Sequence, residues 1–209
     1  MMIIKTLVVG PLETNSYILS CPKTKEAVVV DPGDESHLVL NYLKQEQLKV
    51  KYILNTHGHW DHVAENDVIR QATGALVAIH NDDQELILNP EKVGSPFHQN
   101  LQGLKPADML LRNHDQITFG EYTLEVIYTP GHTKGGCCFY EPEEKVCFSG
   151  DTLFKGTIGR TDLYGGSYAE LVNSVKKRLA HLADETEVYP GHGPSTTMKI
   201  ERKVNPYVK

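Results

Sequence analysis

The chain has 209 residues, enough to bury well over half of the surface that its unfolded form would expose, so folding requires neither a disulfide nor a metal. Hydrophobic residues make up 40% and charged residues 23%, which excludes a disordered chain, and the net charge of −6 argues against a large nucleic-acid-binding face. No apolar run approaches the ~18 residues of a membrane span, and we expect no signal peptide. The four cysteines form no C-x-x-C pattern, which favours reduced thiols in the cytoplasm.

The first third of the chain predicts alternating strands and helices. Short β-branched or apolar runs, bounded by proline, glycine and aspartate, predict the strands. They cover residues 3–9, 15–21, 26–30, 52–54 and 75–79. Apolar residues recur at helical spacing after Ser36, which predicts an amphipathic helix with this serine as its N-cap. A second helix is predicted over about residues 62–73.

The second half predicts two hairpins, a helix and a last strand. The predicted strands cover residues 116–119, 122–128, 137–140, 145–148 and 187–189. A single apolar stripe from Ser167 to Leu182 predicts a helix that begins at the serine. Residues 89–112 show no clean period and predict a long surface excursion. The simplest architecture is one α+β domain with sheets inside and helices outside.

Five of the ten histidines share one context, because each follows a predicted strand in a loop that contains glycine. They are His57, His59, His62, His132 and His192. Asp61 lies within the first cluster, and Asp151 directly follows the strand that ends at Phe148. Strand ends at one edge of a sheet converge, so loops remote in sequence can build one site there. We expect the other histidines not to bind metal: His37, His80, His98, His114 and His181.

Five imidazoles and two carboxylates exceed the four ligands of a closed structural zinc site, and none of them is a thiolate. The set therefore predicts two adjacent divalent ions with a coordination position left for water. Mixed nitrogen and oxygen donors suit zinc and would also accommodate iron or manganese. A lone His-x-His is more often a surface pair, and a lone aspartate is more often a turn residue or a helix cap. Only the joint pattern supports metal binding.

The histidine motifs resemble, in order and spacing, those of the metallo-β-lactamase superfamily. The matching segments are Thr56–His62, Thr129–Thr133, Ser149–Asp151 and Tyr189–Gly193. The resemblance implies a four-layer αββα sandwich, a single hydrolase domain over residues 1–209, with the site at one edge of the two sheets. Asp31 resembles the superfamily's first-motif aspartate, which supports a ligand and does not bind metal itself. The chain is most similar to the short glyoxalase II-like hydrolases, through Gly10–Tyr17, Gly159–Asp162 and Glu201–Pro206.

Carried over position by position, the resemblance implies two sets of metal ligands joined by one bridging residue. The first metal would be held by His57, His59 and His132, the second by Asp61, His62 and His192, with Asp151 as the bridge. Asp151 stands where some β-lactamases have a cysteine, which argues against the antibiotic-hydrolysing branch. His59 stands where flavodiiron proteins have a glutamate, which argues against an oxygen reductase.

The chemistry open to such a centre favours hydrolysis of a thioester. Bound ions lower the pKa of a water to roughly 7 and stabilise the oxyanion of a tetrahedral intermediate. We expect Asp61 to orient a metal-bridging hydroxide and Asp151 to hold both ions, so these two are the candidate catalytic residues. A thiolate can leave without protonation, whereas an amine cannot, and the sequence shows no obvious general acid beside the ligands. S-D-lactoylglutathione is a candidate substrate, but we expect much of the long enzymes' glutathione-binding surface to be missing or rebuilt here, so another thiol carrier stays open.

Arg160 is the candidate for binding a substrate carboxylate, because arginine offers a bidentate contact. The alternative, that it caps or solvates its own loop, is equally favoured. Two other functions stay open: a single-iron persulfide dioxygenase, which shares the Gly-Arg-Thr-Asp segment, and a non-catalytic binding module stabilised by metal. We expect a small-molecule thioester as partner, no nucleic acid and no membrane, and a cytoplasmic location. Whether the chain forms a homodimer stays open.

Overall fold

Two mixed sheets pack face to face in the computed structural model, which describes residues 1–92 and 103–209. In the first sheet the order of the strands follows the chain. Its strands are β1 (Ile3–Val9), β2 (Thr14–Ser20), β3 (Glu26–Val30), β4 (Lys49–Asn55), β5 (Leu76–His80) and β6 (Met109–Leu111). The first three strands pair antiparallel and the rest pair parallel. The parallel pairs are what bring the carboxyl ends of these strands to one edge.

The second sheet is mostly antiparallel. Its strands are β7 (Gln116–Phe119), β8 (Tyr122–Tyr128), β9 (Cys137–Glu141), β10 (Val146–Gly150), β13 (Glu187–Pro190) and β14 (Thr196–Thr197), and they lie in the order β14-β13-β10-β9-β8-β7. The exception is the parallel pair formed by β10 and β13. The chain between β10 and β13 forms a separate two-stranded ribbon, which consists of β11 (Leu153–Phe154) and β12 (Thr157–Ile158). Because β10 and β13 run parallel, the loops that follow them lie side by side.

Helices cover the outer face of each sheet. They are α1 (Ser36–Gln45), α2 (Trp60–Val63), α3 (Asn66–Thr73), α4 (Gln84–Leu88), α5 (Tyr168–Ser174) and α6 (Met198–Val204). Alternate strand residues face opposite sides, so Leu19 and Val30 pack between the sheets, whereas Ile18 and Val29 pack against α1 and α3. On the other side, Leu171 of α5 and Met198 of α6 cover the second sheet. The four-layer αββα sandwich expected from the resemblance is confirmed.

The core between the sheets depends on three phenylalanines of the second sheet, Phe119, Phe139 and Phe148, each 0% exposed. Replacing Phe139 with alanine is expected to lower the free energy of unfolding by about 3–5 kcal/mol, because the deletion leaves a cavity in the core. Urea unfolding measures this loss. The exposed Val204 of α6 provides a control, and Val204→Ala is expected to change stability by less than about 0.5 kcal/mol. A Phe139→Ala protein as stable as this control would contradict the assignment of the core.

Three predicted helix features need correction. Ser36 is the first residue of α1 and not its cap, because Glu35 holds the cap position in a left-handed conformation (φ 49°) and makes no side-chain cap hydrogen bond. The helix predicted over residues 62–73 is two helices, since the amide of Glu65 donates to the carbonyl oxygen of Pro32 and the chain turns there. The helix predicted after Ser167 does begin with a serine cap, whose Oγ accepts from the amide of Glu170, but its last turns (Val175–Leu179) are π-helical.

The predicted surface excursion over residues 89–112 agrees with residues 103–108, which are exposed or half-buried and form no helix or strand. Two short pieces of the range are regular: Pro90–Lys92 forms a 3-10 turn, and β6 pairs with β5 at the edge of the first sheet. Residues 93–102 lie outside the described part of the chain. Throughout residues 1–92 and 103–209, every helix is too short or too polar to cross a bilayer.

Candidate metal centre

The loop that follows β4 carries four of the candidate ligands. His57 and His59 are buried, and α2 then places Asp61 and His62 one turn further along. The four polar side chains fall within six residues that directly follow the buried end of β4. The imidazoles of this loop are buried and lie against one another, with the ring centroids of His57 and His59 4.7 Å apart and those of His57 and His62 4.1 Å apart.

The remaining candidates reach the same edge from the second sheet. His132 lies in the loop after β8, Asp151 directly follows β10, and His192 follows β13. The loops after β10 and β13 are joined by a hydrogen bond from the amide of Gly191 to the carbonyl oxygen of Gly150. The convergence expected for these strand ends is what the structure shows.

All seven predicted side chains lie in one cluster. Nδ1 of His59 is 2.9 Å from Nε2 of His132, and Nε2 of His62 is 3.3 Å from Nε2 of His192. Ligand-type atoms fall within 4.8 Å of one another in three overlapping triads: His57, His59 and His132; Asp61, His62 and His192; and Asp31, His57 and His62. Asp151 lies between the first two triads, with its carboxylate 3.4 Å from His132 Nε2 and 3.5 Å from His62 Nε2.

The donor set fits two divalent cations. Within the described residues, Nε2 of His57, Nε2 of His59 and Oδ1 of Asp151 are buried and have no hydrogen-bond partner. Buried polar atoms without a partner are costly, so several of them on the side chains of one histidine–aspartate cluster indicate a missing ligand. Burial, reinforced by neighbouring histidines, lowers the pKa of His57 and His59 well below the ordinary value. Both imidazoles are therefore neutral, the form that coordinates a metal.

Negative charge is concentrated in the other half of the cluster. Burial disfavours ionisation of Asp61, but the adjacent His62 and His192 prevail and hold the pKa of this carboxyl well below its usual range. Burial also opposes protonation of His62, yet the carboxylates around it, that of Asp61 first, raise the pKa of its imidazole. Without metal, His62 carries the positive charge that offsets these carboxylates. A cation bound there would take over that role.

Hydrogen bonds from the surrounding chain orient the imidazoles. Nδ1 of His132 donates to the backbone carbonyl of Arg160 (2.7 Å), and Nδ1 of His192 donates to that of Leu12 (3.0 Å). Nδ1 of His62 donates to Oδ2 of Asp31 (3.0 Å). In each case this bond places the hydrogen on Nδ1 and leaves Nε2 free to face the cluster. Asp31 thus has the supporting position that the resemblance implied.

Two residues at the start of β2 also support the cluster, and the sequence analysis missed them. Oγ1 of Thr14 donates to Oδ2 of Asp61 (3.2 Å). The amide of Asn15 donates to the carbonyl of Gly191 (2.7 Å), and its side chain donates to that of Pro190 (3.0 Å). Both residues lie in the Gly10–Tyr17 segment, which the sequence offered only as a family likeness. Nothing in the local pattern indicates that this segment reaches across to the other sheet.

The side chain of Arg160 lies outside the cluster. It is 60% exposed, and its guanidinium forms two hydrogen bonds with the carboxylate of Asp162, at 2.7 and 2.8 Å. The hydrogen bond from Arg160 lowers the pKa of Asp162 to about 2. The bidentate contact that the guanidinium was expected to make with a substrate carboxylate is thus made with the carboxylate of Asp162. The backbone oxygen of Arg160, in contrast, holds His132.

The histidines expected not to bind metal stay away from the cluster wherever they are described. His37, His114 and His181 are exposed. His80 is buried but stacks on Tyr128, with ring centroids 4.2 Å apart. His98 lies outside the described residues.

A sandwich of this topology with a histidine–aspartate cluster at one sheet edge defines a metallo-hydrolase. The sequence profile of the metallo-β-lactamase superfamily matches residues 9–192, and the chain belongs to this superfamily. Among curated relatives, the probable metallo-hydrolase YqgX of Bacillus subtilis is 34% identical over 96% of this chain and 94% of that protein. Hydroxyacylglutathione hydrolase GloC of Haemophilus influenzae is 32% identical over 88% of each chain.

Solved structures show the same likeness. The crystal structure of BLEG-1 B3 metallo-β-lactamase is 37% identical with a TM-score of 0.90, over 99% of this chain and 100% of that chain. TTHA1623 in a di-iron-bound form is 34% identical with a TM-score of 0.87, over 97% and 99% of the two chains. ETHE1 from Myxococcus xanthus is 27% identical with a TM-score of 0.82, over 98% and 84%.

Proposed function

We propose that this chain is a dinuclear metal-dependent hydrolase of thioesters, with a small acyl-thiol such as S-D-lactoylglutathione as its substrate. One ion would be held by His57, His59 and His132, the other by Asp61, His62 and His192, and Asp151 would hold both. The observation that carries the proposal is that three buried atoms of this one cluster, Nε2 of His57, Nε2 of His59 and Oδ1 of Asp151, have no hydrogen-bond partner among the described residues. Zinc is the metal proposed, since nitrogen and carboxylate donors suit it, and the di-iron form of TTHA1623 makes iron the other candidate.

When bound, such ions supply a nucleophilic water at neutral pH and polarise the substrate carbonyl. The chain's own contribution begins with Asp61, whose carboxylate stays ionised and whose Oδ2 is oriented by the hydroxyl of Thr14. This carboxylate would accept a hydrogen bond from the attacking water and orient it toward the thioester carbon.

The choice of a thioester rests on the leaving group. Hydrolysis adds water to the carbonyl carbon and breaks the C–S bond, which yields a carboxylic acid and a thiol. A thiolate departs without protonation, whereas an amine requires an acid. The two buried carboxyl groups that support the loops, Asp31 and Asp83, have both oxygens engaged by hydrogen-bond donors. Neither carboxyl group is therefore placed to protonate a leaving group. The name of the relative GloC, hydroxyacylglutathione hydrolase, agrees with a thioester substrate.

Two solved structures bear on competing activities. The likeness to ETHE1 fits the alternative of a single-iron persulfide dioxygenase, which would use only the triad of His57, His59 and His132. The complete second triad favours the hydrolase. The likeness to BLEG-1 raises hydrolysis of a β-lactam, in which the leaving group is an amine. The absence of a free acid beside the ligands, within the residues that the structure describes, favours the thioester.

One experiment separates these functions. Elemental analysis of the purified protein is combined with turnover of S-D-lactoylglutathione, oxygen uptake with glutathione persulfide, and hydrolysis of a chromogenic cephalosporin. We expect two metal ions per chain and thioester hydrolysis as the fastest of the three reactions. One iron per chain with oxygen uptake would replace the hydrolase by the dioxygenase, and faster cephalosporin hydrolysis would replace it by a β-lactamase.

We also propose that the protein works in a reducing compartment such as the cytoplasm. Its four cysteines, all within the described part of the chain, are buried and unpaired. Buried free thiols are typical of proteins that do not meet oxidising conditions. Isolation of the protein with a disulfide between any two of them would contradict this location.

Arg160 provides a test of how a substrate carboxylate is recognised. Arg160→Ala is expected to lower kcat/KM for S-D-lactoylglutathione by about 10–100-fold, mainly through KM, the effect of losing a charge-assisted hydrogen bond of ~1.5–3 kcal/mol. Asp162→Asn is the matched variant. It weakens the contact that occupies the guanidinium and is expected to lower KM. Metal content should stay the same in both, and equal losses on a neutral thioester would mean that Arg160 only supports its loop.

A further inference from the structure

Asp83 is a completely buried carboxylate that the proposed chemistry does not use. It lies in the 3-10 turn Asn81–Asp83, directly after β5 of the first sheet. Its Oδ2 accepts hydrogen bonds from the amide of Gly58 (2.9 Å) and from the hydroxyl of Thr133 (2.7 Å). Its Oδ1 accepts one from the amide of Gly135 (2.6 Å).

These donors belong to two different ligand loops. Gly58 lies between His57 and His59, in the loop that leaves the first sheet. Thr133 follows His132, in the loop that leaves the second sheet. The triad of His57, His59 and His132 is therefore assembled from both sheets. A backbone hydrogen bond from Cys137 to Thr56 also joins the two loops, but the carboxylate of Asp83 is the side chain that bonds to both.

The two glycines allow the loops to approach the turn. A Cβ atom on Gly135 would lie 2.5 Å from the backbone nitrogen of Asp83, and one on Gly58 would lie 2.7 Å from Cβ of Leu86. Both distances are too short for a real side chain. The backbone of each loop thus rests directly on the segment that carries Asp83, which accounts for the glycine in His-Gly-His and for that in Thr-Lys-Gly.

We propose that Asp83 is a positioning residue that fixes the His57–His59 loop against the His132 loop and so sets the metal affinity of that triad. The inference rests on the proposed function in taking these three histidines as ligands of one ion. A carboxylate suits the role because it accepts all three bonds at once. An amide of the same shape presents an NH₂ group to at least one of these donors and loses that bond.

Asp83→Asn tests the inference through zinc affinity. Protein freed of metal is titrated with Zn²⁺ against a chromophoric chelator, which resolves the affinities of the two ions. We expect one of them to weaken about tenfold or more, the size typical of losing a group that orients a ligand, while the other changes less than about threefold. Asp108→Asn is the matched control. Oδ2 of Asp108 likewise accepts a backbone amide, that of Val77 in β5 (2.8 Å), but Asp108 directly precedes β6 and so lies at the amino end of the parallel strands, opposite the end that carries the ligand loops.

Thr133→Val keeps the inference testable even if Asp83→Asn fails to fold, because it removes one of the three bonds at nearly constant shape. It is expected to weaken the same ion in the same selective way, and denaturant unfolding of the metal-free proteins separates this effect from loss of stability. Folded variants with both zinc affinities at the wild-type value would overturn the inference. Equal weakening of both ions would also overturn it. The thioester proposal is judged separately, by turnover of the wild-type protein.

Discussion

Asp151→Ala is expected to cost the protein its bound metal and nearly all hydrolase activity. The carboxylate of Asp151 lies between the two triads, 3.4 Å from Nε2 of His132 and 3.5 Å from Nε2 of His62. One substitution would therefore remove a ligand from both ions together with a compensating negative charge. Replacing any single histidine removes a ligand from only one ion and leaves the charge of the site unchanged, so its effect should be smaller.

The fold should survive this change. Asp151 belongs to none of the apolar clusters, and the core between the sheets is formed by residues such as Phe139 and Leu19. Metal content and turnover of the variant are compared with those of Asp184→Ala, a control in which an exposed aspartate bonded to Arg202 is removed. Far-ultraviolet circular dichroism checks the fold of both. An Asp151→Ala protein that keeps two metals and full turnover would show that the bridge is assigned to the wrong residue.

Asp31→Asn is expected to weaken binding of the second ion by about 10–100-fold, although Asp31 touches no metal in this proposal. Oδ1 of Asp31 accepts a hydrogen bond from the backbone amide of Thr56 (2.8 Å). A backbone amide can only donate, so in the variant the side-chain oxygen of asparagine has to occupy the position of Oδ1. The new NH₂ group then faces Nδ1 of His62, which must accept a hydrogen bond and gives up its hydrogen. The hydrogen moves to Nε2, and a protonated Nε2 cannot bind a metal.

The substitution is nearly isosteric, and asparagine tolerates the positive φ of residue 31 (49°), so the chain should still fold. Zinc titration gives the affinity, and ¹⁵N chemical shifts of the histidine rings report directly which nitrogen of His62 carries the hydrogen. Asp34→Asn serves as the control, since that carboxylate accepts only the amide of its neighbour Glu35 among the hydrogen bonds described. A variant with wild-type affinity and the hydrogen still on Nδ1 would refute the role of Asp31.

The ligand set could be predicted from the sequence because its members come in compact motifs. Four of the seven candidates lie between His57 and His62, and each of the others directly follows a strand or a Pro-Gly turn. Most strands could also be predicted from the local sequence, since the alternation of apolar and polar residues is a property of neighbouring positions. The strands that the sequence missed are short. β6 has three residues and β14 has two, and pairing with β5 and β13 defines them more than any period of their own.

The supporting contacts were decided by the tertiary structure. His132 and His192 are oriented by the backbone carbonyls of Arg160 and Leu12, and every residue carries such a carbonyl, so no residue type marks the partner. No sequence pattern distinguishes Asp83 from the other aspartates. Its role follows from the packing of the two sheets, which brings Gly58 and Thr133 to its carboxylate. Arg160 was singled out for its guanidinium, yet the fold turns that group outward to Asp162, and the contact that Arg160 makes with the cluster comes from its backbone oxygen. Sequence by itself determined which side chains are candidate metal ligands, since that depends on their chemistry. The geometry that fixes them depends on contacts between segments far apart in the chain, which form only when the two sheets pack.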